Sequence, residues 1–247
     1  MTNYEFCAWW VQRQRSGADA HVLDYGCGAG QIVTLLRARG IDARGCDVFY
    51  EGGDYSAQVQ GGLLGAAIRR MGEDGAIPFP DASFDLIVNN QVLEHVLDLD
   101  RVLSEFARVL KPGGRVLSLF PDRGVWREGH CGIPFLHWFP KRSRPRVWYA
   151  AALRAVGLGN HKQGKSILRW SEDFCDWLDR WTHYRPNREI DPCFERWIGR
   201  PQALEEVWLA RRLGRRSASI GWAPTTLRRF IVNKFAGRVF ECMRPVA

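Results

Sequence analysis

Residues 22–30 read VLDYGCGAG: a short apolar stretch interrupted by Asp24, then glycine at every second position, Gly26, Gly28 and Gly30. Immediately behind them, Gln31 to Arg39 places Ile32, Leu35 and Leu36 on one helical face and stops at Gly40. The order is strand, glycine turn, helix. Glycine at such a turn lets backbone approach a ligand with no β-carbon in the way, and the helix start offers unpaired amides. A ligand crevice is therefore expected at this first junction. A dinucleotide fingerprint needs another glycine three positions after Gly28, where this chain has Gln31, and it makes no use of an acid two residues before the first glycine. A ligand carrying positive charge and an amino-acid head suits Asp24 better. Asp47 closes the next strand, 21 residues after Gly26, where a carboxylate can accept hydrogen bonds from ribose hydroxyls, or else cap a helix.

Working outward, Arg44–Phe49 and Phe84–Asn89 read as further strands, and Asp100–Leu110 as a helix with a buried stripe of Val102, Leu103, Phe106, Val109 and Leu110. Pro112, Gly113 and Gly114 end that helix, and Arg115–Phe120 follows as a strand. Strands alternating with helices predict an α/β fold, a mostly parallel Rossmann-like sheet with helices on both faces. Gly237–Arg244 alternates in polarity and is expected to return as an antiparallel last strand.

The chain has 247 residues, enough for one elaborated domain, and its 46% hydrophobic and 25% charged residues are the balance of a globular protein with a real core. The longest apolar run falls far short of the roughly 20 residues a bilayer span requires, and CAWWV near the N-terminus is cut short by Gln12 and Arg13, so neither a membrane helix nor export is expected. Seven scattered cysteines without a C-x-x-C pair suggest no disulfide framework or thiolate zinc site, and a cytoplasmic setting.

Charge is divided unevenly. Residues 1–121 carry 11 Lys and Arg against 15 Asp and Glu, whereas residues 122–247 carry 24 against 12 and nine of the eleven tryptophans. The expected organisation is a ligand-binding core over 1–121, a helical insertion or cap over 122–185, and a C-terminal part, 186–247, that completes the sheet. The basic half points to an anionic partner: a phosphorylated small molecule, an anionic membrane surface met through the basic stretch 210–230, or RNA, which is not favoured because no RNA-binding module is present.

VLDYGCGAG, the acid-ended strand GCDVF (45–49), EDGAIPFPDASFDLIV (73–88), NNQVLEHV (89–96) and RVLKPGGRVLSLFP (108–121) occur in that order. Together they make the chain resemble the class I S-adenosylmethionine-dependent methyltransferases over about 100 residues, and in its later segments the small-molecule and glycan-type bacterial members. The resemblance implies S-adenosylmethionine as cofactor. Asp24 would lie near its charged end, Gly26, Gly28 and Gly30 along its methionine and ribose, Asp47 and Val48 at the ribose, and Glu73 or Asp74 with Ala76 against the adenine. Asn89 would face the methionine end. The implied reaction moves a methyl group to oxygen or nitrogen of a small-molecule, glycan or lipid-linked acceptor; an RNA methyltransferase and a non-catalytic cofactor-binding module are the alternatives.

Methyl transfer is an in-line displacement that depends mainly on positioning, but an amine or hydroxyl nucleophile must also lose a proton. Glu94 and His95, after the strand that opens onto the methyl group, and His130, in REGHCGIPFLHWFP (127–140), are the candidate catalytic residues, with His137, Tyr184 and Arg185 as further substrate or lid candidates. Glu94 and His95 are also open to a structural reading as a helix start. A similar E-x-x-E-H segment holds metal in small-RNA methyltransferases, but the neutral Gln91 stands in place of its first acid, so no metal is expected.

Overall fold

The computed structural model describes residues 1–14, 20–72, 74–214 and 223–246. Seven strands form one sheet: β1 (His21–Tyr25), β2 (Asp42–Asp47), β3 (Ile68–Arg70), β4 (Phe84–Asn90), β5 (Leu110–Phe120), β6 (Gln202–Ala203) and β7 (Arg238–Met243). Their spatial order is β3-β2-β1-β4-β5-β7-β6, with β7 antiparallel to both β5 and β6 and all other pairs parallel. The chain thus moves outward from β1 to β3, then crosses back to β4 on the other side of β1. That reversal leaves a crevice beyond the carboxyl ends of β1 and β4, the usual ligand position in an open parallel sheet.

Strand residues alternate between two cores. Val22, Leu86, Val88, Leu117 and Val239 face the layer that includes α1 (Asn3–Arg13) and α2 (Gln31–Arg37). Leu23, Ile87, Val116, Phe120 and Phe240 face α3 (Leu99–Val109) and Ile190, Phe194 of α6 (Asn187–Trp197). Helix α3 buries Leu99, Val102, Leu103, Phe106 and Val109 at spacings of three and four, and Asp98 caps it by accepting the Arg101 N–H at 3.0 Å. Four residues of the expected stripe lie on it, whereas Leu110 belongs to β5 and Leu99 takes the remaining buried place.

Several elements differ from the sequence reading, most of them by one or two residues at an end. Strand β2 ends at Asp47 because Phe49 adopts φ +48, outside the extended region. Strand β3 was not anticipated. Strand β5 starts at Leu110 rather than Arg115, so Lys111 to Gly114 form the irregularity in the strand between the Leu110 and Arg115 pairings with β4 instead of a separate turn.

A third apolar cluster, with Cys131, Ile133, Leu136, Ala150, Trp170, Cys175 and Leu178, joins α4 (Arg144–Ala155) to α5 (Ile167–Trp181). The end of α5 and the chain beyond it meet the sheet's carboxyl edge: the Trp177 indole donates to Gly52 O at 3.2 Å and His183 N–H to Glu94 O at 2.6 Å. The remaining helices are α7 (Glu205–Leu213) and α8 (Thr225–Phe235). All seven cysteines are free, and no helix among the described residues is long and apolar enough to cross a membrane. The basic stretch 210–230 lies partly outside the described residues, since 215–222 fall beyond them.

Candidate active site

The glycine turn takes left-handed backbone at all three positions, φ +70 at Gly26, +50 at Gly28 and +74 at Gly30. The surroundings separate their roles. A β-carbon at Gly26 would lie 2.5 Å from Val92, and one at Gly30 would lie 2.4 Å from Ile68, so these two glycines admit close packing. At Gly28 the nearest atom would be a Tyr55 ring carbon at 3.7 Å, which leaves its face open to a ligand. Asp47 accepts the N–H of Gly28 and that of Phe49, both at 2.8 Å, so it braces the turn from the neighbouring strand while keeping spare lone pairs. It caps a loop rather than a helix.

Asp24 is 2% exposed, and nothing among the described residues pairs with its carboxylate. Burial, reinforced by the nearby Asp47, pushes its pKa well above the usual carboxylate range. A buried acid without a partner beside an open glycine suits a cationic ligand, and these residues fit S-adenosylmethionine. Val48 is exposed next to Asp47, where an adenosyl group can cover it. Asp74 is exposed and accepts the Ala76 N–H at 3.3 Å; Glu73 lies outside the described residues. Asn89 is fully buried and donates to Leu117 O at 3.2 Å and Ser118 Oγ at 2.9 Å, cross-linking β4 to β5, with its own Oδ1 unpartnered.

Glu94, His95 and His130 come together at the ends of β4 and β5, their ligand-type atoms all within 4.8 Å of one another. Glu94 and His95 sit in a turn at 93–95, four residues before α3 begins, so they are not a helix start. His95 Nδ1 lies 2.6 Å from Trp181 O, and His130 Nδ1 lies 2.7 Å from Glu128 Oε1. The two Nε2 atoms face each other at 3.2 Å. Glu128 is buried and also accepts the Tyr184 hydroxyl at 2.6 Å and the Cys131 N–H at 2.7 Å. Burial alone would raise its pKa, but the His130 hydrogen bond and charge outweigh that and hold it at about 2. Burial pushes Glu94 up to about 8 and His95 down to about 4. Tyr50 spans from this cluster to the glycine turn: its hydroxyl is 3.5 Å from His95 Nδ1, and Asp47 and Glu94 both add to the burial that raises its pKa.

His137 belongs elsewhere. With Arg123, Lys141, Arg146, Thr182 and Tyr184 it lines a cavity of about 200 Å³, across the Tyr184 ring from His130. Arg185 donates to Leu97 O at 2.6 Å and ties the segment after α5 to the loop before α3. Sequence reasoning missed Glu128, Tyr50, Trp177 and Trp181. Only Glu128 left a signal, an acid two positions before a histidine already singled out.

Residues 23–118 match the family model described as a methyltransferase domain. The chain is similar to the demethylmenaquinone methyltransferase of Symbiobacterium thermophilum, 31% identical over 131 residues, covering 48% of this chain and 49% of that protein. It is also similar to a probable S-adenosylmethionine-dependent methyltransferase of Mycolicibacterium smegmatis, 36% identical over 117 residues, or 45% and 42% of the two chains. The chain thus spans about half the length of these relatives. The solved S-adenosylmethionine-dependent methyltransferase of Mesorhizobium loti shares the fold, with a TM-score of 0.54 at 16% identity over 98% of both chains. The family match covers the glycine turn and the strands on either side of it, so residues 23–118 are similar to a methyltransferase domain, and the fold is the one that the solved S-adenosylmethionine-dependent methyltransferase has.

Proposed function

We propose that the chain transfers a methyl group from S-adenosylmethionine to an oxygen or nitrogen of a small acceptor that carries an anionic group, of the sugar-phosphate or lipid-linked glycan kind. The observation that carries the reading is the unpartnered Asp24 carboxylate beside the open face of Gly28, on the same sheet edge as the Glu94–His95–His130 cluster. The cofactor supplies an electrophilic methyl group when bound. The protein's residues do the rest: Gly28 and Asp47 seat the ribose side, Asp24 faces the positive charge, and the cluster meets the acceptor end. Alignment of donor and acceptor is the main source of rate in such a displacement.

Two observations support an anionic, membrane-associated acceptor. The cavity beyond Tyr184 is lined by Arg123, Lys141 and Arg146, of which Arg146 pairs with the Asp179 carboxylate, and the positive charge that remains favours a phosphate or carboxylate. Helix α8 exposes Leu227, Phe230, Ile231 and Phe235 beside Arg228, Arg229 and Lys234, the composition of a helix lying on anionic lipid.

The test is calorimetry with S-adenosylhomocysteine, followed by incubation with methyl-labelled cofactor and separate pools of sugar phosphates, lipid-linked glycans and RNA. Heat with the first and label in a phosphate or glycan pool is the expected result. Absence of heat, or label in RNA alone, overturns the reading.

A further inference from the structure

We infer that Glu94, His95 and His130 form a binding site for a divalent transition cation of the zinc or iron(II) class. Its ligand chemistry stands on these side chains alone; only its use in the reaction rests on the methyl-transfer reading.

The hydrogen bonds fix the tautomers. Trp181 O can only accept, so the Nδ1 that lies 2.6 Å from it carries the proton of His95. Glu128, ringed by the donors Cys131 N–H and Tyr184 O–H, accepts likewise from His130 Nδ1 at 2.7 Å. With both rings neutral, each presents a bare Nε2 lone pair, and the two Nε2 atoms face each other at 3.2 Å. Two acceptors at that separation repel unless something positive lies between them. Close by is the Glu94 side chain, 1% exposed, neither of whose oxygens has a hydrogen-bond partner. A buried carboxylate without a donor is costly in a folded protein and asks for a cation.

The dimensions agree. Two nitrogens bound at about 2.0–2.1 Å in a tetrahedral site are about 3.3 Å apart, close to the separation of the two Nε2 atoms. Each ring's other nitrogen is held by a carbonyl or a carboxylate, the arrangement that orients metal-binding imidazoles and sharpens their basicity. Two imidazoles and one carboxylate select a borderline transition metal over magnesium or calcium, which prefer all-oxygen shells. The ligand set leaves a position open, and His130 retains 26% of its side-chain exposure, so the site can be reached. An acceptor hydroxyl taking that position would bind through its oxygen and become a stronger acid. The sequence argued against a metal because Gln91 is neutral; this set makes no use of residue 91.

The experiment is titration of the chelator-stripped full chain with cobalt(II), followed by visible absorption, and with zinc(II), followed by calorimetry. One equivalent of each is expected, with cobalt giving ligand-field bands. His95→Ala and His130→Ala should each remove the bands, and Glu128→Gln should weaken affinity about 10- to 100-fold while leaving the ligands in place. Because His130 is partly exposed, its variant should keep the wild-type melting temperature, which separates loss of a ligand from loss of the fold. If stripped protein binds neither ion, or binds with the same affinity and spectrum in both histidine variants, the inference is overturned, and a proton shared between the rings takes the metal's place. S-adenosylhomocysteine calorimetry on the stripped protein tests the methyl-transfer reading separately, since that crevice uses none of these three residues.

Discussion

The Asp47 carboxylate accepts the Gly28 N–H from the next strand's loop at 2.8 Å, and the Phe49 N–H from its own at 2.8 Å. One side chain thereby ties together the two loops that bound the cofactor crevice. Asp47→Ala leaves both amides without their acceptor and any bound ribose hydroxyl without its partner. Calorimetry with S-adenosylhomocysteine should show a loss of about 1–3 kcal/mol in binding. An unchanged dissociation constant would remove Asp47 from the cofactor site.

The three turn glycines should respond differently to substitution. Gly26→Ala forces a β-carbon onto Val92, and Gly30→Ala forces one onto Ile68, so both should lower the melting temperature markedly. Gly28 has room, and Gly28→Ala should cost only about 1 kcal/mol for its left-handed backbone. Gly28→Val should nonetheless abolish cofactor binding, because its side chain fills the face a ligand needs. Cofactor titration and thermal melting together check this; a Gly28→Val protein that binds normally would show that the ligand lies elsewhere.

How far the sequence reaches follows from which interactions are local. The VLDYGCGAG turn and four of the five expected residues of the α3 stripe are set by spacings of two, three and four residues and are legible in the sequence; Leu110, at the junction with β5, is not. Strand β3 escaped because it is three residues long with only Ile68 buried, too short for any alternation to show. The roles of the glycines became distinct only with Val92 and Ile68 in place, and those contacts depend on sheet order. The cluster shows the same limit. Each histidine was visible in sequence, but its tautomer is set by Trp181 O, 86 residues from His95, and by Glu128, whose burial comes from tertiary packing.

Asp24 should trade stability for binding. Its folded pKa is raised, so between the ordinary carboxylate value and that raised value the folded chain holds the proton more tightly than the unfolded chain. Its contribution is most favourable below the unfolded pKa and declines as pH rises through that window. At neutral pH, Asp24→Asn removes an acid whose burial opposes its ionisation, so the cofactor-free protein should melt at a higher temperature than wild type, with the difference shrinking toward pH 4. The same variant should bind S-adenosylmethionine more weakly. Thermal scans across pH settle it: a variant that melts lower at pH 7 would mean that the carboxylate has a stabilising partner.

Arg123 is exposed at the mouth of the cavity it shares with Lys141 and Arg146, so Arg123→Ala should fold normally. Inorganic pyrophosphate, standing in for an anionic acceptor, should raise the melting temperature of the wild-type protein by mass action and have a much smaller effect on the variant. Cofactor affinity should be the same in both. A pyrophosphate shift of equal size in the two proteins would place the anion outside this cavity.

The pair between Arg146 of α4 and Asp179 of α5 is almost fully buried, with 3% and 8% of the side chains exposed. Asp179 also accepts the Arg142 N–H at 2.8 Å, and Lys141 donates to its backbone oxygen at 2.9 Å, so the carboxylate anchors the loop before α4 as well. Asp179→Ala leaves the buried guanidinium without its carboxylate, and breaking a buried pair from one side costs about 3–5 kcal/mol. Urea unfolding should show that loss. Replacing both partners, Arg146→Met with Asp179→Leu, should recover much of it, because no uncompensated charge remains. If the single and double variants are equally unstable, the lost stability lies in the Arg142 N–H bond to the carboxylate rather than in the buried charge.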